Sequence, residues 1–167
     1  MRLFTRIKHW IRRFFTKHSP EEILAGVSAT PDHPEPVDLI AWLLIDYRPQ
    51  LDRHACFALE HLEHPYVTIR YDEEATLVVH YTAPFSPMDR MKAIGLRLPL
   101  GFSVIHWEKH QHFVLHGPKL APHTMAEFID RLFITLYRAG RSYVLAGWTE
   151  LEEGDAQSDN APSQQAL

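Results

Sequence analysis

Apolar residues recur at three- and four-residue steps from the start of the chain. Leu3, Phe4, Ile7, Trp10, Ile11, Phe14 and Phe15 fall on one side of a helix, and Arg2, Arg6, Lys8, Arg12, Arg13 and Lys17 on the other. This spacing predicts an amphipathic basic helix over residues 1–18. Ser19, Pro20 and Glu22 then form a capped start for a short helix to about Ala29. Thr30 to Pro36, with three prolines, breaks it and makes residues 19–36 a connector. From Val37 the positions Leu39, Ile40, Leu43 and Leu44 read as a buried helix. A second helical stretch is expected after Pro49, running to about Glu63.

The period then changes from helical to two. Val67, Ile69, Tyr71, Leu77, Val79 and Tyr81 alternate with Thr68, Arg70, Thr76 and His80, which predicts a hairpin with one apolar face. A three-residue loop at Asp72–Glu74 pairs Val67 with Val79 and Ile69 with Leu77, whereas a two-residue loop sets apolar residues against polar ones. Ser86, Pro87 and Gly95 bound a short helix. A second hairpin follows, Phe102–Trp107 with His112–His116, turning at Lys109–Gln111 and pairing Trp107 with Phe113 and Ile105 with Leu115. Thr124 and Glu127 suggest a capping box for a helix whose core side runs from Phe128 to Tyr137 and stops at Gly140. A strand from Ser142 to Trp148 closes the pattern.

This order predicts an α+β domain over residues 37–150, an antiparallel sheet of about five strands with helices mainly on one face. The second face is expected to be exposed or to pair with another subunit, which makes a homo-oligomer one expected partner. Residues 151–167 carry too little apolar surface to offset chain entropy and are expected to be disordered. The arrangement is similar to secretion-chaperone-like and other small adaptor domains, a likeness of element order alone.

Charge divides the chain. Residues 1–18 carry six Lys/Arg and no acid, leaving 11 basic against 21 acidic residues in the remainder, so an arm of +6 precedes a body of about −10. An acidic body argues against nucleic-acid binding. The arm suits an anionic membrane surface or an acidic protein partner, with Leu3, Phe4, Ile7, Trp10, Ile11, Phe14 and Phe15 entering the interface and Arg6, Arg12, Arg13 and Lys17 holding the charged groups. Charges within the arm argue against a secretory signal, and its aromatic face favours retention over removal as a presequence. The longest apolar run, Leu39–Ile45, is too short to span a bilayer. The single cysteine, Cys56, forms no intramolecular disulfide and reads as a buried small residue. A cytoplasmic protein peripheral to a membrane is the expected setting.

Candidate chemistry is confined to histidine. His106, His110, His112 and His116 lie within eleven residues, and the hairpin register sets Glu108 opposite His112 with His106 diagonal to it. These three, with His80 on the same polar face of the first hairpin, are the candidate ligands for a divalent metal. No ordered zinc, phosphate-loop or nucleophile-elbow motif accompanies them, and Cys56 with His54 and His61 makes a poor nucleophile pair. The sequence thus supports a non-enzymatic regulatory or chaperone-like binding protein without cofactor. The alternative is a metal-binding protein or metalloenzyme built on the histidine-rich face.

Overall fold

The computed structural model describes residues 35–47, 53–59, 66–140 and 143–151. The arm, its connector to Pro34 and the tail beyond Leu151 lie outside the described residues. Helix α1 (Pro36–Ile45) starts with Pro36 in its first turn and buries Leu39, Ile40, Leu43 and Leu44. Six strands follow among the described residues: β1 (Arg53–Leu59), β2 (Tyr66–Tyr71), β3 (Glu74–His80), β4 (Ser103–Glu108), β5 (His112–Pro118) and β6 (Leu145–Leu151). They form one antiparallel sheet in the order β4-β5-β3-β2-β1-β6. Helices α2 (Pro87–Ala93) and α3 (Pro122–Arg131) complete the α+β domain, α3 widening into a π-helical turn over Leu132–Leu136. No described helix is long and apolar enough to cross a membrane.

The sheet has six strands rather than about five, because the second helix expected before Glu63 is strand β1. Ala55 and Phe57 join the core beneath the helices, while Cys56, between them, is buried on the opposite face. With small or apolar residues on both sides, β1 shows no two-residue alternation, and its alanines and leucine imitate a helix. Its partner β6 begins three residues later than expected. Gly147 of β6 lets α1 sit close, since a Cβ there would lie 2.6 Å from Leu43 Cδ1.

The first hairpin has the anticipated register, Val67 with Val79 and Ile69 with Leu77. In the second, Trp107 pairs with Phe113, but a bulge puts Val104 rather than Ile105 opposite Leu115. Ile105 turns to the other face and packs on Val78 and Val114. Helix α3 starts at Pro122, two residues before the expected Thr124, and its N-cap Ala121 offers no side-chain bond. The proline, preset for the first helical turn, overrides the capping-box pattern.

All three helices pack on one face of the sheet, around Phe57, Ile69, Leu77, Leu115, Phe128 and Phe133. The second face is not exposed at its centre: Cys56, Thr68, Val78, Val114 and His112 are all buried. Cys56 is thus the buried cysteine expected, and Trp42 and Trp107 are partly solvent-exposed.

Candidate metal centre

Antiparallel pairing arranges the second face in rows that run across the strands. One row begins with Glu108 of β4, His112 of β5 and His80 of β3, because Glu108 pairs with His112 and His112 with His80. The next begins with His106, Val114 and Val78, and a third places His116 beside Thr76. Five residues of the histidine-rich pattern therefore share one face at the β4 side of the sheet.

Three of them converge. One ligand atom each from His106, Glu108 and His112 lies within 4.8 Å of the other two. A tetrahedral zinc with bonds of ~2.0–2.1 Å needs its ligand atoms ~3.3 Å apart, so modest side-chain rotation closes the group. The His106 and His112 rings are tilted with centroids 5.7 Å apart. His112 is fully buried, His106 half-buried and Glu108 exposed, which sets the group at the rim of the sheet with its carboxylate toward solvent.

Burial makes the charged imidazolium costly and lowers the His112 pKa to about 4; the carboxylate of Glu108 opposes this and the neighbouring His106 adds to it. His112 is consequently a neutral ring at neutral pH, the form that binds metal.

The other histidines are committed elsewhere. His80 stacks on Tyr66 with ring centroids 5.1 Å apart, and the structure does not bring it into the three-residue group. His116 lies with Nδ1 3.1 Å from the Thr76 hydroxyl and Nε2 3.3 Å from the Glu74 carboxylate, a cross-strand bridge. His110 occupies the left-handed region at φ 65 in the hairpin loop and donates from Nδ1 to the Thr82 carbonyl at 2.8 Å. The Tyr81 amide donates to the Gln111 carbonyl at 2.9 Å, so two bonds fasten the loop to the chain after β3. That anchorage holds Glu108 and His112 in register, a positioning role for His110 that spacing alone does not reveal.

Behind the site, the Tyr137 hydroxyl reaches the carbonyls of His80 at 2.7 Å and Tyr66 at 3.1 Å, tying the end of the β2–β3 pair to the helix layer. Tyr137 follows the π-helical turn, and its helical spacing marks it only as a core residue.

No family model, curated protein or solved structure matches this chain.

Proposed function

We propose that this protein binds a divalent cation of the zinc, cobalt or nickel class at its β4–β5 hairpin, through His106, Glu108 and His112. One observation carries the reading, the convergence of two imidazoles and a carboxylate within 4.8 Å on adjacent strands. Two nitrogen ligands with one oxygen suit borderline ions, whereas calcium and magnesium require oxygen-rich shells. Three protein ligands leave a further position toward solvent, where Glu108 is exposed.

Metal analysis of the purified protein tests this: near-stoichiometric zinc, cobalt or nickel is expected, and His106→Ala or His112→Ala should remove it. A cation at about 100 times its Kd adds about 2.7 kcal/mol of stability, which for this chain length raises the melting temperature by about 5–10 °C. Metal-free protein whose melting is indifferent to all three cations would refute the site.

A second reading is favoured by the separation of a +6 arm from a −10 body. On it, the protein is a non-enzymatic regulatory or chaperone-like binder held at an anionic membrane surface or an acidic partner by the apolar and basic residues from Leu3 to Lys17. Sedimentation with anionic liposomes that survives Arg6→Glu with Arg12→Glu would contradict it.

A further inference from the structure

Strand β4 closes one end of the sheet among the described residues, and the candidate ligands stand on it and on its neighbour β5. Its last residues present a usable backbone edge. The Glu108 carbonyl points toward β5, where it accepts from the Gln111 amide at 3.1 Å, so strand alternation turns the N–H and C=O of Trp107 the other way, off the sheet. The hairpin loop leans away from that edge, because His110 and Gln111 are fastened to Thr82 and Tyr81 on the β3 side. Ser103–Glu108 contains no lysine, arginine or proline, the residues that commonly blunt an edge.

We propose that a second copy of this chain pairs with this edge, β4 against β4 about a two-fold axis, and that each copy supplies its Glu108 to the other's metal. The inference rests on the metal reading above. The bulge selects the register. Val104, opposite Leu115, faces the helices; Ile105 and His106 both face the other way; Trp107, opposite Phe113, returns to the helix side. In regular antiparallel pairing the axis falls on one residue, which meets its own copy. An axis on His106 sets Trp107 against Ile105, and an axis on Ile105 sets His106 against Val104, each a mismatch of faces. An axis on Trp107 keeps the faces matched.

Trp107 then bonds its own copy through its outward N–H and C=O, and on the second face Glu108 stands opposite the partner's His106. Side chains so opposed have Cβ atoms ~4.5–5.5 Å apart, within reach of one cation. A carboxylate has two oxygens, so Glu108 can bridge its own metal and the partner's and fill the position that three ligands from one chain leave open. The backbone contact alone is far smaller than a stable interface. The copies therefore associate when metal is bound and separate without it.

Sedimentation velocity of the full chain reads this directly. With zinc, a dimer holding one zinc per chain is expected, and in chelator a monomer, the dimer weakening roughly 100-fold or more relative to zinc at ~100 times its Kd. Trp107→Pro withdraws the outward N–H and sets a ring in the edge while keeping all three ligands. It should stay monomeric at every zinc concentration and still bind one zinc per chain, roughly tenfold more weakly. The comparison of the unaltered chain with and without zinc stands whether or not that variant folds. A zinc-loaded monomer of the unaltered chain overturns the shared site and leaves His106, Glu108 and His112 as a site within one chain. A dimer that persists in chelator, or in folded Trp107→Pro, overturns it too by placing the interface elsewhere. A chain that takes up no zinc fails the metal reading itself, and this inference with it.

Discussion

His112 should make the protein lose stability in a defined acid window. Its ring is buried, and its pKa falls from the ordinary 6.5 to about 4, chiefly by burial. Above about pH 6.5 the ring is neutral both folded and unfolded and contributes no pH dependence. Between there and about pH 4 the unfolded chain takes up a proton that the folded chain refuses, so stability falls as pH falls, and below about pH 4 the loss levels off. At about 1.4 kcal/mol for each tenfold change in proton affinity, the displacement has a ceiling of about 3 kcal/mol. Solvent reaching the exposed Glu108 screens the site and brings the expectation to about 2 kcal/mol. Urea denaturation of the wild type and His112→Leu in chelator, at steps from pH 7.5 to about 3.5, isolates the effect. His106 and Glu108 from β4 and His80 from β3 neighbour the ring and are present in both proteins, so the comparison isolates the His112 side chain. The wild type should lose ground against the variant between about pH 6.5 and 4. A difference independent of pH would show that the ring is not held neutral and would refute the burial argument.

Two further perturbations test the packing that positions the site. A Cβ on Gly117 of β5 would lie 2.5–2.8 Å from three ring atoms of Phe102, so Gly117→Ala must displace a buried ring and should cost about 1–3 kcal/mol, a melting temperature lower by several degrees; an unchanged melt would contradict the close approach. Tyr137→Phe removes the hydroxyl that serves the carbonyls of His80 and Tyr66, and leaving those groups without it should cost about 1–3 kcal/mol in urea denaturation. A neutral result there would mean that the β2–β3 end is held by other bonds.

The hairpins are legible in the sequence because one side of each strand faces the helices and the other is polar or histidine-rich, so only one register keeps the apolar set together. The same logic places Glu108 opposite His112 and so brings the candidate ligands into view from spacing alone. The bulge in β4 is hidden because Val104 and Ile105 are both apolar and either can face the core. Strand β1 is hidden for a related reason: Ala55, Phe57 and Leu59 meet the helices while Cys56 is buried on the other face, erasing the period on which strand recognition depends. Of the four candidate ligands, His80 has the right register but stacks on Tyr66, a rotamer choice made by its neighbours and invisible in spacing.

X-ray absorption of the zinc-loaded protein tests the central claim most directly, because it counts imidazoles at the metal instead of merely detecting uptake by a chain with twelve histidines. Two imidazole nitrogens and a carboxylate oxygen at ~2.0–2.2 Å are predicted, a shell that His106→Ala should abolish. An all-oxygen shell, or a shell unaltered by that substitution, would contradict the assignment of the site to His106, Glu108 and His112.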